Sequence, residues 1–591
     1  MRKKGRFTSS HVIIPVEFDS VFSGMPRENA GVVLRMLSRD SLVKLASLLK
    51  REYCGRPAQR MANLLSSSDI HFLPLLYQLQ RHSEDTKHLK GAEVVVAFDN
   101  TPLELLRIAF SISPTEMNDV SPMRTDELQW RITKLIAQIN QDSMKYSTAE
   151  TPRSEFAQLL LVNDASYKDI YGIESKGQLI IQPVQAVLFF QLLESKPKYS
   201  GLLNAFYEYY GISSWKEYVK TIYTLSLLCF KKGEGIYPED KLEQSENTLS
   251  RSVLERLSIA SNEGVIPYAC SDEYDEKGNS DYRVFKGRPL FKLSNGDFVI
   301  YNQSILIDRL FQGLYFDFHS IAKGLAENHP DIAHLFTSDF IEKTLFVSVV
   351  GDCISKCRYT AYNEDSLSQI HRLSSKELGY PDYFIRNNMR NSVMLFECKD
   401  IRLNAWIKER RDSALLEREL ENKLVNKTYQ LDRENKCRKQ LPKPRRIGVG
   451  QLAGHAANIR KGVFPWAEDL PVDVTIYPVL VIADNRLIYD GLPLLTQLWY
   501  YDCLDNEGCD KTVQDRPLIM MSPLTLIKYK KLFKVHGFEY YFEKYYEATS
   551  VKPKSATDLF NKVMSFETFM EQYSYSLQGL RKHLMKTIYD R

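Results

Sequence analysis

The spacing of hydrophobic residues divides the chain into a helical part and a mixed part. Within residues 1–240, apolar side chains recur at helical intervals, as at Leu42, Leu45 and Leu49. Such spacing places them on one face of a helix. Short β-rich runs, such as residues 12–18, interrupt the pattern. We therefore predict a mostly helical N-terminal region over residues 1–240.

Residues 241–330 combine a polar stretch with the pattern of a hairpin. The apolar runs Pro289 to Leu293 and Phe298 to Tyr301 are separated by Ser-Asn-Gly-Asp. This sequence is typical of a tight turn between antiparallel strands. Helical spacing resumes after the second run. We predict a linker followed by a β-hairpin and a helix.

Residues 331–500 alternate between helical and strand patterns, whereas residues 501–591 are helical and rich in aromatic side chains. The predicted elements are a helix at 336–350, strands near 358–362, 382–387 and 392–398, helices at 404–426 and 449–460, and a strand at 474–483. This order is typical of a small α/β sandwich. The predicted fold class is a multidomain combination of α/β and α+β structure with a helical C-terminal tail.

Composition and charge exclude several classes of protein but do not indicate a function. The chain has 78 basic and 74 acidic residues, a net charge of +4, which excludes a polycation of the histone type. Its nine cysteines contain no C-x-x-C pair, so we expect neither a disulfide scaffold nor a structural zinc site. No long apolar run and no signal-peptide pattern are present. We therefore predict a cytoplasmic protein that does not enter a membrane.

Three charged residues near the third predicted strand are the strongest candidates for chemistry. Glu397 and Lys399 end the apolar run from Ser392, and Asp382 precedes the neighbouring strand. Residues two apart on a strand share a face, and a charged pair there is costly to bury without a partner or a metal ion. Two carboxylates at one sheet edge are suitable ligands for Mg²⁺, and an ammonium beside them could help to activate a water molecule. The alternative is an ordinary surface ion pair at a strand end.

This pattern resembles the core of the PD-(D/E)xK nuclease superfamily, which runs helix, three-stranded meander, helix, strand. The resemblance covers residues 331–500 and matches Asp382, Glu397 and Lys399 to the motif. It implies a restriction-endonuclease-like fold and a Mg²⁺ ion, for which Mn²⁺ can substitute. Asp382 and Glu397 would bind the ion, and Lys399 would assist the attacking water.

The resemblance also implies roles for three residues outside the motif. Glu342, in the first predicted helix, matches a further metal ligand found in many members. Gln451, in the second helix, matches the catalytic glutamine of a Q-x-x-x-Y pattern. His455 stands where tyrosine is usual, and we expect it to contact nucleic acid through phosphate or stacking.

A basic segment precedes the second helix of this core. From Asn404 to Arg446 there are 13 basic and 7 acidic residues, a local charge of +6. We interpret its last part as a basic, proline-containing linker. Phosphate binding by a basic cluster next to the site is as plausible from sequence as a merely solvated surface. The predicted nucleic-acid contacts are Lys439, Lys443, Arg445 and Arg446.

Together these patterns predict a metal-dependent endonuclease that hydrolyses DNA. By analogy, such an enzyme suits restriction or anti-phage defence. The N-terminal region would bind a protein partner or a second copy of the chain. Two alternatives stay open: a degenerate nuclease fold that serves as a nucleic-acid-binding or interaction scaffold, and a nuclease directed at RNA.

Overall fold

The fold is seen in a computed structural model that describes most, but not all, of the chain. The described residues are 12–15, 17–53, 92–95, 97, 101–117, 126–143, 175–233, 235–238, 242, 249–266, 282–325, 330–370, 379–403, 407, 412–432, 437–464, 467, 469–471, 473–509, 515–550, 552 and 556–589. The chain forms two compact units. We call residues 7–146, 169–329 and 583–591 the first unit, and residues 1–6, 147–168 and 330–582 the second unit. Within the described ranges, no helix is long and apolar enough to cross a membrane.

The first unit is mainly helical, in agreement with the sequence prediction. Its α-helices are α1 (Phe18–Val21), α2 (Ala30–Leu34), α3 (Arg39–Leu48), α4 (Thr101–Ser111), α5 (Asp126–Ser143), α6 (Ser175–Ser195), α7 (Ser200–Tyr210), α8 (Trp215–Lys232), α9 (Arg251–Arg256), α10 (Arg283–Gly287), α11 (Gln303–Asp308) and α12 (Leu314–Lys323). A π-helical turn, Leu49–Tyr53, continues α3. Leu42, Leu45 and Leu49 are all buried, as their spacing predicts.

Two small sheets complete the first unit. Strands β1 (Val12–Pro15) and β2 (Ala92–Val95) pair in parallel. A four-stranded sheet contains β3 (Gly235–Tyr237), β4 (Ser258–Ala260), β5 (Leu290–Lys292) and β6 (Phe298–Ile300) in the order β3-β6-β5-β4. The predicted hairpin is confirmed, because β5 and β6 pair antiparallel across the Ser-Asn-Gly-Asp turn. Since β3 pairs with β6, the hairpin belongs to the same sheet as residues assigned to the N-terminal region.

The second unit surrounds one mixed sheet with helices. A helical segment, α13, consists of an α-helix Ile332–His334, a π-helix Leu335–Phe346 and an α-helix Val347–Cys353. The helices that follow are α14 (Glu364–Ile370), α15 (Ser413–Leu424), α16 (Val449–Arg460), α17 (Leu492–Asn506), α18 (Pro523–His536), α19 (Phe538–Thr549), α20 (Ala556–Val563), α21 (Phe566–Met570) and α22 (Gln578–Tyr589), the last ending in the first unit.

The central sheet has five strands in the order β13-β12-β9-β8-β7. They are β7 (Tyr359–Asn363), β8 (Tyr383–Asn387), β9 (Ser392–Lys399), β12 (Thr475–Ile482) and β13 (Ile519–Met521). Strands β7, β8 and β9 form an antiparallel meander, and β12 runs parallel to both β9 and β13. The predicted order of helix, meander, helix and strand is therefore present. The fifth strand comes from the segment predicted to be a helical tail.

The basic segment is not a linker, and this is a correction to the sequence prediction. It forms β11 (Cys437–Arg446), which pairs antiparallel with β10 (Asn426–Asp432) in a separate two-stranded sheet that we call the ribbon. The register shifts between Lys427 and Tyr429, so Pro442 and Pro444 fall in the irregular part. Proline is tolerated there because each strand of a two-stranded sheet has an unpaired edge.

The two faces of the central sheet are covered by different helices. Side chains of β9 alternate, so Val393 and Leu395 are buried in a cluster that includes Leu452 of α16. On the other face, Phe396 contacts Phe346 of α13 and Phe538 of α19, with ring centroids 6.3 and 5.7 Å apart. This alternation decides which helix each charged residue at the end of β9 meets.

Candidate active site

The predicted motif residues meet at one edge of the central sheet. The register of β8 and β9 pairs Tyr383 with Phe396, which places Asp382 opposite Glu397. The backbone N–H of Cys398 donates to Asp382 Oδ2 over 2.6 Å. This bond fixes Asp382 against the end of β9, where Glu397 and Lys399 project to the same side.

The ammonium of Lys399 links the two carboxylates. Its Nζ lies 2.8 Å from Glu397 Oε2 and 3.5 Å from Asp382 Oδ2. The Glu397 side chain is 0% exposed, and those of Asp382 and Lys399 are each 16% exposed. We call these three side chains the carboxylate cluster. It opens to solvent on the side of Asp382 and Lys399.

His455 closes the buried side of the carboxylate cluster. Its Nε2 lies 3.5 Å from Glu397 Oε1, and its side chain is 4% exposed. Within the described part of the chain, Glu397 Oε1 and both imidazole nitrogens have no hydrogen-bond partner. His455 was expected to contact nucleic acid through phosphate or stacking, and in the structure α16 turns it inward onto Glu397. Any role it has is therefore exerted through the cluster.

The charged residues of the carboxylate cluster shift one another's pKa values. Burial acts to lower the pKa of Lys399, but Glu397 and Asp382 outweigh it and raise that pKa. Burial acts to raise the pKa of Glu397, yet Lys399 and His455 bring it below the ordinary value. Burial, together with the charge of Glu397, raises the pKa of Asp382. Lys399 is thus held protonated and Glu397 ionised.

Glu342 approaches the same edge from the other face of the sheet. It lies on α13, the helix that covers Phe396 rather than Glu397. Burial raises the pKa of Glu342, and Lys399 acts against that rise while the charge of Glu397 adds to it. The side chain is therefore within electrostatic reach of the cluster.

Gln451 makes a structural contact at the start of α16. Its Oε1 accepts a hydrogen bond from the backbone N–H of Gly448 over 2.9 Å. This bond satisfies a donor at the start of α16, which otherwise lacks an intrahelical partner. The predicted catalytic role of Gln451 stays a prediction.

The cluster fits a Mg²⁺ ion held by two carboxylates. Mg²⁺ commonly binds one or two protein carboxylates and completes its shell with water and phosphate. Asp382 and Glu397 supply such a pair, and the buried Glu397 Oε1 has an unused acceptor position. Among the described residues, no three His, Cys, Asp or Glu side chains are grouped to hold a metal ion. The predicted role of Glu342 as a metal ligand stays a prediction.

The ribbon begins beside the cluster. The backbone N–H of Ile447 donates to Val425 O over 2.8 Å, which closes the base of the ribbon. Gly448 follows with φ +45°, and a Cβ placed there would lie 3.5 Å from Lys399 Cγ and 3.0 Å from Leu424 O. The left-handed backbone and the close approach both favour glycine. The ribbon is thus connected directly to the residue packed against Lys399.

Three of the four predicted basic contacts are exposed on β11. Lys443, Arg445 and Arg446 are on the surface, and Arg446 forms an ion pair with Glu507. The backbone of Lys439 pairs with Gln430, but its side chain lies outside the described part of the structure. Of the four predicted contacts, Lys443 and Arg445 are therefore the best placed to bind an anionic ligand.

Lys427 is a basic residue that the sequence analysis missed. It pairs directly with Arg445 across the ribbon, so the two cations share one face. Lys443 lies two residues from Arg445 on the same strand. In the described ranges, no ion-pair partner of Lys427, Lys443 or Arg445 is seen. Only pairing register, which a single sequence does not give, could have revealed Lys427.

In comparisons with known proteins, no family model matches the chain, and no curated protein or solved structure matches it significantly. The geometry of the carboxylate cluster and the ribbon is therefore the basis on which a function can be inferred.

Proposed function

We propose that the protein is a metal-dependent endonuclease that hydrolyses phosphodiester bonds in double-stranded DNA. The observation that supports this most directly is the meeting of Asp382, Glu397 and Lys399 at one partly open sheet edge. The PD-(D/E)xK resemblance of residues 331–500 points to the same chemistry. A role in restriction or anti-phage defence is part of the proposal and depends on analogy alone.

Each residue of the cluster has a distinct task in this proposal. Asp382 and Glu397 would hold Mg²⁺, which supplies positive charge to the phosphate and acidifies a bound water. Lys399, kept protonated by the two carboxylates, orients water and places a positive charge beside the phosphate. His455 packs on the buried oxygen of Glu397 and limits its movement.

The ribbon supports duplex DNA as the substrate. Lys427 and Arg445 place like charges directly opposite each other, which destabilises an isolated ribbon and favours an anionic partner, and Lys443 adds an exposed cation two residues away on β11. The major groove of B-DNA admits a two-stranded β-ribbon. Because the ribbon starts beside Lys399, a duplex bound to it lies next to the cluster.

Cleavage of supercoiled plasmid tests the proposed activity. We expect the full-length protein to nick or linearise plasmid with Mg²⁺ or Mn²⁺, and to be inactive with EDTA. Lys399→Ala and Asp382→Asn should each reduce the rate at least about 100-fold, since each removes a charge that acts on the reacting phosphate. Lys530→Ala, which removes an exposed lysine paired with Asp352, should retain full activity.

Other outcomes of the plasmid assay separate the alternatives. Cleavage that survives Lys399→Ala would contradict the assigned role of that lysine. Cleavage of RNA in preference to DNA, offered in parallel, would assign the site to RNA. DNA binding without any cleavage, with either metal, would favour the degenerate scaffold.

Salt dependence of binding tests the ribbon. The triple variant Lys427→Ala, Lys443→Ala, Arg445→Ala should bind duplex DNA more weakly, because three phosphate contacts are lost. The slope of log K against log salt should fall by about one per removed cation. Fluorescence anisotropy with a labelled duplex in EDTA measures this without cleavage. An unchanged slope would show that DNA does not contact the ribbon.

A further inference from the structure

The first unit contains a cavity that the proposed nuclease site does not use. Its volume is about 520 Å³, within the size range of pockets that bury small organic ligands. Its walls come from α7, α9, α10 and α12 and from the start of β4. All lining residues belong to the first unit, so the cavity is separate from the carboxylate cluster.

Most charges in the cavity wall are already neutralised. Glu255 is paired with Lys292 over 2.6 Å, and Arg288 forms a two-bond pair with Glu263 over 2.7 and 2.8 Å. Arg309 pairs with the buried carboxylate of Asp317. The cavity wall therefore gains no net charge from these three pairs.

Arg256 is different from the other charged residues of the wall. Its guanidinium stacks on the ring of Tyr209, 3.8 Å from the ring centroid, and the side chain is exposed. Within the described residues it has no carboxylate partner. The cavity thus carries one uncompensated positive charge, which favours an anionic ligand. A guanidinium also supplies a planar surface on which a flat ring can stack.

The cavity wall also contains a hydrogen-bond acceptor, the carboxylate of Asp317. Asp317 is 8% exposed, and its Oδ2 accepts from the hydroxyl of Tyr210 over 2.7 Å and from Arg309. The described hydrogen bonds of Asp317 all go to Oδ2, so Oδ1 is left to accept from a ligand. An amino group on a ring is a donor of the required kind.

We propose that this cavity binds a purine mononucleotide. The phosphate is held by Arg256, the base stacks against the Arg256–Tyr209 pair, and the exocyclic amino group donates towards Asp317. Each part of the ligand matches one feature of the wall. The phosphate matches the cation that lacks a carboxylate partner, the base matches the planar surface, and the amino group matches the buried acceptor. The proposal is independent of the nuclease activity.

Isothermal titration of the full-length protein with AMP and GMP tests the proposal. Both should bind, whereas adenosine, which lacks the phosphate, and ribose 5-phosphate, which lacks the base, should each bind at least about tenfold more weakly. Arg256→Ala should weaken nucleotide binding at least about tenfold, since a charge-assisted contact is lost. Because Arg256 is exposed, the variant should melt at the wild-type temperature.

A neighbouring arginine provides the matched control. Arg251 lies on the same helix, is 65% exposed and does not itself line the cavity; it lies 3.6 Å from the wall residue Glu255, which keeps its closer partner Lys292 when Arg251 is replaced. Arg251→Ala should bind nucleotide as the wild type does. The proposal is overturned if AMP and GMP fail to bind at millimolar concentration, or if Arg256→Ala binds them unchanged. Inorganic phosphate binding as tightly as AMP would overturn it too, because the base would then contribute nothing.

Discussion

At the scale of single residues, the carboxylate cluster is a buried charge system that depends on Lys399. Glu397 is fully buried and ionised, its compensating charge comes from Lys399, and His455 packs against its other oxygen. Removing one partner of a buried ion pair is costly because the other charge stays behind. The cluster should therefore affect stability as well as activity.

Lys399→Met tests this dependence, because it removes the charge and keeps most of the side-chain volume. We expect a loss of about 3–5 kcal/mol in the free energy of unfolding, since Glu397 is left uncompensated. Chemical denaturation followed by circular dichroism measures the loss. The double variant Glu397→Gln, Lys399→Met should recover much of it, because the fully buried charge of Glu397 is then removed as well.

An exposed ion pair serves as the comparison. Lys530 and Asp352 are 42% and 61% exposed, and Lys530→Met should cost at most about 1 kcal/mol. If Lys399→Met costs no more than Lys530→Met, the cluster is screened by solvent and our view of it is wrong.

The sequence was sufficient to place Asp382, Glu397 and Lys399 together, because strand alternation and motif spacing are local properties. It did not place His455 inward, because the direction of a helical side chain depends on which face of α16 packs on the sheet. It missed Lys427 for a related reason, since its partner Arg445 is fixed by strand pairing. Gln451 could not be distinguished from a helix cap by residue type alone.

At the scale of elements, glycine lets α16 pack closely against Val425, the residue between α15 and β10. A Cβ on Gly450 would lie 2.5 Å from the backbone oxygen of Val425, whereas one on Gly454 would lie 2.8 Å from Arg446 Nη1. The first neighbour is fixed main chain, and the second is the end of a flexible side chain. The two positions in one helix should therefore respond differently to the same substitution.

Gly450→Ala should destabilise the second unit by about 1–3 kcal/mol, because the helix must move away from the backbone of Val425. Gly454→Ala should be neutral or should stabilise by up to about 1 kcal/mol, since alanine is the better helix former and Arg446 can swing aside. Thermal unfolding of the two variants side by side measures the difference. Equal midpoints would show that the helix is not closely held at Gly450.

The elements that the sequence predicted are those with a strong local pattern. The β5–β6 hairpin has its own turn sequence, and β9 is a long apolar run. The ribbon was missed because Pro442 and Pro444 argue against a strand, and only pairing with β10 overrides them. The three-residue strand β13 is too short to carry a periodic signal and exists because β12 offers it an edge.

At the scale of the molecule, the second unit depends on its last third. Strand β13 extends the sheet, and Asp515 pairs with the buried Arg460 of α16 over 2.7 Å. Glu539 of α19 accepts from Asn387 over 2.7 Å, from Ser392 over 3.2 Å and from Tyr359. Contacts from residues after 514 therefore fasten both the meander and α16.

Ending the chain after residue 514 should abolish the cooperative unfolding of the second unit. The meander would lose the acceptor that joins its strands, and Arg460 would be buried without its partner. Limited proteolysis of the shortened and full-length proteins measures the effect, with rapid cleavage expected inside residues 330–500 of the shortened chain. Protection equal to that of the full-length protein would show that the predicted boundary at 500 is a true domain limit.

Under the proposed function, the direct connection between the ribbon and Gly448 fixes the distance between the phosphates bound by the ribbon and the bond that is cut. A short turn, closed by the hydrogen bond between Ile447 and Val425, leads from Arg445 to Gly448, which packs against Lys399. A duplex bound by the ribbon would therefore be cut at a constant distance from the phosphates that the ribbon contacts. Lengthening that turn would move the scissile bond along the strand before it slowed the reaction.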